Sequence, residues 1–524
     1  MLKAAPQNFD ALHLLGLCKA QSGQMGEAYR LLASAVKINA QAPDAWVNLA
    51  NVLHALKRDD EALTALDKAL ALRPGDAGAL NNRGNALLAL GRTREALATF
   101  NEALARNPRH GDALLNRGTA RATLGQAADA LADFDAVLAL APGHPGALYN
   151  RGNALSDLSR YAEALAAFDA ALKTQPANVK AWNNRGRALQ ALNRQREAVE
   201  SFEKAIALQK DYADAHFNAA LSLLTLGDYA RGFAEYEWRW TRSGMSDTRR
   251  SYRGALWLGE YPLTRKTILL HAEQGLGDTI QFARYAPLVA RAGANVVLEV
   301  QPALKDALAS LAGVASVHAR GEPLPAYDAH CPLGSLPLAL KTDAASIPAD
   351  IPYLHADDAR IAKWRAVIEP LPGKRVAVTW AGNPAHANDR NRSIDVKLLD
   401  PLATEGVSFI SVQRDLRGGD EEFLARHPRV KHIGAELADM ADTAAVLTLC
   451  DLVIAVDTAV VHLDGALGRT PWVLLPFSPD WRWTLQGERT PWYPRARLFR
   501  QPSLGDWTSV IATVRDALTR FVAS

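Results

Sequence analysis

Three short stretches hold the residues best suited to chemistry. In "HAEQGLGDTIQF" (His271–Phe282) an Asp closes a Gly-x-Gly turn between a strand, "TILLHA" (Thr267–Ala272), and a new helix. Gly275 and Gly277 let the chain swing sharply. Asp278 then stands at the helix start, beyond the carboxyl end of a strand, where parallel α/β sheets place their ligands. A helix N-cap is the plainer job for such an Asp. In "DLVIAVDTAVVHLDGALG" a buried strand runs out at Asp457, and a helix opens through Thr458, Ala459 and Val460 to His462. Free backbone N–H groups and the helix dipole make that terminus an anion site. Thr458 adds a hydroxyl donor and His462 a ring donor one turn in; a capped turn with a core His is the alternative. In "NPAHANDRNRSIDVKLL" (Asn383–Leu399) Arg390, Arg392 and Lys397 follow the strand "VAVTWAGN". They are cations suited to a phosphate, or simply a solvated loop. No Asp-x-Asp motif sits at a strand end in 266–524, and Asp133 and Asp135 lie in a helical repeat, so no metal and no cofactor is expected.

The elements that must position these residues fall into two halves. From Pro74, Pro108, Pro142 and Pro176 the chain repeats every 34 residues without a slip, and less regular copies begin near Pro6, Ala40 and Lys210. Seven units fill about 6–243. Gly84, Gly118 and Gly152, with Ala96, Ala130 and Ala164, supply small residues where helices touch, and Phe100, Phe134 and Phe168 fill the larger holes. The spacing is that of the tetratricopeptide repeat, a helix pair stacked into a superhelix. One column is polar: Asn48, Asn82, Asn116, Asn150, Asn184 and Asn218 recur every 34 residues on the first helix of each unit, facing the groove. Such amides could pair with the backbone of an extended peptide, or bond within the array.

Beyond a linker at 244–265 the helical period gives way to strands alternating with helices, the pattern of parallel α/β sheets. One unit spans 266–368. After "EPLPG" a second spans 374–524, its final helix expected to cross back onto the first. His330 and Ser335 follow another strand of the first unit and are expected to face a cleft. Trp481, Trp483, Trp492 and Tyr493 could stack on a base or sugar, or pack the core.

At 524 residues, with 48% apolar and 22% charged residues, several domains are expected. A net charge of +3 gives no case for nucleic acid or membrane. Cys18, Cys331 and Cys450 have no metal-ligand spacing, which fits a reducing compartment. No run reaches the length of a membrane span and the start has no secretory h-region, so a cytoplasmic location is expected. The repeats begin almost at once, as they would in a truncated chain.

"EQGLGDTIQF" followed by "DLVIAVDTAVVHLDGALG" resembles the heptosyltransferase group of GT-B glycosyltransferases, over about Lys266–Ala523. The resemblance implies two Rossmann-like lobes, acceptor lobe first and nucleotide-sugar lobe second. It makes Asp278 the general base of an inverting transfer, with Gly277 and His330 on the acceptor side and Glu273 and Gln274 either touching the acceptor or supporting the residues that do. Asp457, Thr458, Ala459, Val460, His462, Asn383 and Arg392 would then hold the donor. The family usually has Gly where this chain has Ala459. The Asn column resembles the asparagine ladder in the repeats of O-linked N-acetylglucosamine transferases, which holds substrate peptide. Together these imply a metal-independent glycosyltransferase acting on a protein recruited by the repeats, flagellin-like surface proteins being acceptors by analogy. A catalytically inactive scaffold, or a transferase for lipid-linked or polysaccharide glycan, are the alternatives.

Overall fold

In the computed structural model, which describes residues 7–242, 250–386, 388–402 and 405–524, the 34-residue period becomes seven helix pairs. They run from Phe9–Gln21 with Met25–Ile38 to Ala213–Thr225 with Tyr229–Tyr236. Five of the seven first helices start where a side chain accepts an otherwise orphan N–H. Asp76 takes that of Ala79 and Asn178 that of Ala181, both at 3.0 Å. The small-against-large pattern is literal. A Cβ on Gly84 would lie 2.3 Å from the Phe100 ring, and one on Gly118 or Gly152 within 2.6 Å of Phe134 or Phe168. Each ring therefore packs directly on the backbone of its partner helix.

The chain divides into two compact units, Met1–Ala188 and Leu189–Ser524. The division falls inside the repeat array. The last helices, Ala213–Thr225 and Tyr229–Tyr236, bury Ala220, Leu224, Tyr229, Phe233 and Tyr236 in the same core as Ile268, Leu270, Trp481 and Trp492. A 3-10 turn, Glu237–Thr241, ends the array, and 244–249 of the expected linker lie outside the described residues. The rest of that linker is not all loop: β1 (Ala255–Leu256) adds a strand to the edge of the first sheet and Trp257 is buried beside it.

The second unit contains two sheets that are wholly parallel among the described residues. The first joins β1 to β2 (Thr267–His271), β3 (Asn295–Val300), β4 (Val314–Ala319) and β5 (Ala329–Pro332), in the order β1-β5-β2-β3-β4. The second has β6 (Lys374–Thr379), β7 (Val407–Ser411), β8 (Val430–His432), β9 (Leu452–Val456), β10 (Trp472–Leu475) and β11 (Arg497–Arg500), in the order β11-β10-β9-β6-β7-β8. That is the doubly wound order of nucleotide-binding sheets, with its switch point between β6 and β9. In the first sheet the order reverses between β2 and β5. The helix expected to open at Asp278 is two, Leu276–Ala283 and Ala286–Arg291. Pro287 has no N–H to give to Ala283 and forces the break. The final helix, Trp507–Ala523, does not cross back. Val510, Ile511, Val514 and Leu518 close over Val376, Phe409 and Leu474 of the second sheet. No described helix is long and apolar enough to cross a membrane.

Candidate functional site

The two switch points meet. The turn after β2 carries Asp278 and the turn after β9 carries His462, and the helices they open touch. A Cβ on Gly277 would stand 2.7 Å from His462 Cδ2, so only glycine permits this approach. Asp278 is not the N-cap. Its helix begins two residues earlier with Gly275 as cap, and Asp278 occupies the third helical position, its Oδ2 accepting the Gly275 N–H at 3.1 Å. The glycines allow the tighter entry, and the carboxylate closes it from inside the first turn. The other oxygen, Oδ1, accepts from Arg482 Nη2 at 2.5 Å. Arg482 is buried. It also donates to Asp480 at 2.9 Å and to Gln281. Asp278 itself keeps 28% of its side chain exposed, so it is anchored through both oxygens and still reachable.

On the opposite side Thr458 caps the helix Ala459–Ala466 in position only. Its hydroxyl makes no cap bond and is buried without a partner. The N–H groups of Ala459 and Val460 are in the first turn and lack intrahelical acceptors. The His462 Nδ1 lies 2.9 Å from the Tyr493 hydroxyl, and Trp483 stacks on the ring. Burial, with Arg482, Arg284 and Arg392 nearby, pushes the imidazole well below its usual range, so it is neutral. In the tautomer in which Tyr493 donates to Nδ1, the proton sits on Nε2 as an uncharged donor. Asp457 is pushed the other way, upward, by burial first and by Asp480 second. Arg392 packs on Gly382, donates to the Asp457 carbonyl at 3.1 Å, and has a buried Nε that makes no hydrogen bond, its ion-pair partner Asp389 standing 3.8 Å away. Buried donors are almost always satisfied; here two lie at one switch point.

Other expected residues are placed differently. Asn383 is exposed and its side-chain oxygen accepts from Ala385, turning its own loop. Arg390 and Lys397 are exposed. Glu273 and Gln274 do not face an acceptor: Glu273 accepts from Arg239 and from Gly334 N–H, each at 3.1 Å, and Gln274 from the Tyr236 hydroxyl at 2.9 Å. Burial drives the Glu273 carboxyl up to about 7 against the pull of Arg239. Ser335 is buried in the same network. His330 sits 3.2 Å from His271 within a stack under Tyr252, its position fixed by strand alternation. The four late aromatic residues are core.

Arg482, Arg239 and Tyr236 are site residues that the sequence did not single out. The only signal was a charge inside an aromatic run, "DWRW" and "EWRW", where a buried guanidinium needs partners.

Along the repeats, the amide column bonds chiefly to the preceding repeat. Asn82 donates to Asn51 at 2.8 Å, Asn116 to Asn81 at 3.0 Å, Asn150 to Thr119 at 3.4 Å and Asn184 to Asn153 at 2.8 Å. Asn48 pairs with His13 at 2.9 Å, and the Asn218 carbonyl accepts from Gln190 at 2.9 Å. All six are half-buried.

Comparison with known proteins agrees on the repeats. Tetratricopeptide-repeat models match 81–145 and 149–195, 41–109, and 186–227, and a model of anaphase-promoting complex subunit 3 matches 1–69. The N-terminal region consists of tetratricopeptide repeats. A curated relative, Protein FlbA of Caulobacter vibrioides, is 29% identical over 344 residues, covering 60% of this chain and 56% of FlbA. That share of this chain exceeds the repeat array, while the chain spans little more than half the length of the relative. Among solved structures, YrrB, a repeat protein with an unusual peptide-binding site, is 28% identical (TM-score 0.32, 35% of this chain, 95% of that one). A thermophilic repeat protein of Thermus thermophilus is 27% identical (TM-score 0.30, 35% and 99%).

Proposed function

We propose that the chain is an inverting GT-B glycosyltransferase whose repeats recruit a protein acceptor. One observation supports this above the rest: two parallel sheets face each other at their switch points, with a reachable carboxylate on one side and an anion-binding helix terminus on the other. A nucleotide-sugar fits that terminus. Its diphosphate would take the N–H groups of Ala459 and Val460, the Thr458 hydroxyl, the neutral His462 donor and the Arg392 guanidinium, all of which stabilise a leaving group that departs with growing negative charge. Asp278, from the other side, would take the proton of the acceptor hydroxyl as its oxygen attacks the anomeric carbon. A single displacement inverts that centre.

Titration calorimetry of the whole chain with UDP, GDP and ADP, without added metal, tests the donor site. We expect at least one to bind, and Arg392→Ala and His462→Ala each to weaken it about tenfold or more, since a hydrogen bond to a charged group contributes roughly 1.5–3 kcal/mol. Binding by none of the three, or unchanged affinity in the double variant, would reject this site.

For the repeats, the shared tetratricopeptide architecture supports a peptide or protein ligand. Their amide nitrogens already bond along the array, so a peptide would be read mainly through carbonyl oxygens. Replacing Asn116, Asn150 and Asn184 together by Ala should weaken acceptor binding. It should also lower the melting temperature, by roughly 0.5–1.5 kcal/mol of stability per lost bond, and leave hydrolysis of donor by water unchanged. Normal modification at limiting acceptor would end the peptide-groove reading.

The Asp278–Arg482 pair also favours a second reading, a scaffold in which that pair only fastens the two lobes. The same aspartate decides between them.

A further inference from the structure

Arg239 is 1% exposed and lies in the 3-10 turn that ends the last repeat. Its guanidinium donates to Glu237 at 2.5 Å, to Glu273 at 3.1 Å, to Ser335 at 2.7 Å and to the Tyr236 carbonyl at 3.3 Å. Burying such a charge is expensive even when it is paired, and an apolar side chain would fasten a helix to a sheet without that desolvation. The network is also aimed. Glu273 is the second residue after β2, on the turn that leads to Asp278, and Gly334 faces it so closely that a Cβ there would stand 2.5 Å from the carboxylate. Next to it, Gln274 is gripped twice: Tyr236 donates to its side chain at 2.9 Å, and Gln301 donates to its carbonyl at 2.6 Å. The following residue, Gly275, is exposed, and its N–H orients Asp278 Oδ2. What fixes 273 and 274 therefore fixes the direction of that N–H, and with it the carboxylate.

We infer that Arg239 is a positioning residue: by holding Glu273 from the end of the repeats it sets the turn that aims Asp278. The inference rests on the proposed role of Asp278 for its kinetic consequence and on geometry alone for its structural one. A misplacement of about 1 Å at a reacting group costs on the order of 10²-fold in rate. Glu273, burdened by burial and by the nearby Glu237 and Asp278 carboxylates, would become neutral without the guanidinium and would lose the ionic contact altogether.

The test uses the full chain with Arg239→Gln, Arg239→Lys and Tyr236→Phe. The last removes one hydrogen bond and no charge, so it remains informative if Arg239→Gln unfolds. Hydrogen exchange read by mass spectrometry should show faster exchange in peptides covering 273–280 of Arg239→Gln and Tyr236→Phe, with peptides covering 452–466 unchanged. Donor turnover, followed as nucleoside diphosphate released from UDP-, GDP- and ADP-sugars, should fall about 10²-fold in kcat for Arg239→Gln. Its KM should stay within twofold, and Arg239→Lys should recover most of the loss. Unchanged exchange at 273–280 in both folded variants would overturn the inference. So would kcat and KM that move together, or no recovery with lysine. A wild-type chain that turns over none of these donors would instead reject the transferase reading, and the exchange comparison would then decide the inference by itself.

Discussion

Asp278→Asn should lose sugar transfer by about 10²–10⁴-fold, the usual contribution of a general base, while nucleoside diphosphate binds as before. The substitution is nearly isosteric. Asn Oδ1 can still accept the Gly275 N–H, so the turn and the helix entry remain. The negative charge facing Arg482 is lost. Arg482 keeps Asp480 at 2.9 Å, so the buried guanidinium is not abandoned, and the stability loss should stay below the 3–5 kcal/mol typical of a broken buried pair. The donor side, at Thr458, Arg392 and His462, is not altered. Thermal melting and calorimetry on the same sample separate the outcomes. A folded, nucleotide-binding variant that transfers at close to the normal rate removes Asp278 as base and favours the scaffold reading. Loss of binding and transfer together would mean that the aspartate holds the lobes and does no more.

The repeat was fully legible, because a period of 34 with Gly against Phe dictates helix pairs through steric fit alone. So were most strands of both sheets, whose apolar runs are bounded by turn residues; β1, inside the expected linker, and β11 were not. What the sequence hid was long-range pairing. Arg482 stands 204 residues from Asp278 and Arg239 stands 34 from Glu273, and the aromatic runs around the two arginines hint at burial without naming a partner. Glu273 and Gln274 were expected either to touch the acceptor or to support the residues that do, because they adjoin the right turn. They face inward because the repeat end supplies partners there, and a buried carboxylate takes the partner that offsets its desolvation. The final helix was misplaced for a related reason: its apolar stripe fits either sheet, and only the matching surface of β6, β7 and β10 decides.

The same long-range packing makes the repeat and the α/β region inseparable at the boundary that the sequence suggests. A fragment covering 243–524 should fail to fold, whereas one covering 189–524 should fold cooperatively. The reason is the shared core. Phe233 packs edge-on against Trp481 and Trp492, with ring centroids 5.8 and 6.4 Å apart, and Tyr229 packs against Trp492 at 5.7 Å. Ser478 donates to the Gln190 carbonyl at 3.0 Å and Asn193 to the Phe477 carbonyl at 2.5 Å. Truncating one buried Phe to Ala costs roughly 3–5 kcal/mol. Removing Tyr229, Phe233 and Tyr236 together would on that scale cost about 9–15 kcal/mol, as much as the 5–15 kcal/mol or so that holds an ordinary domain. In the full chain, Phe233→Ala should lower the melting of the second unit and Phe100→Ala should spare it, since Phe100 is buried within the first. Calorimetry of the two variants and the solubility of the two fragments give the result. A soluble 243–524 fragment that melts cooperatively and binds nucleoside diphosphate would show that the last repeat is an attachment and not part of the fold that bears Asp278.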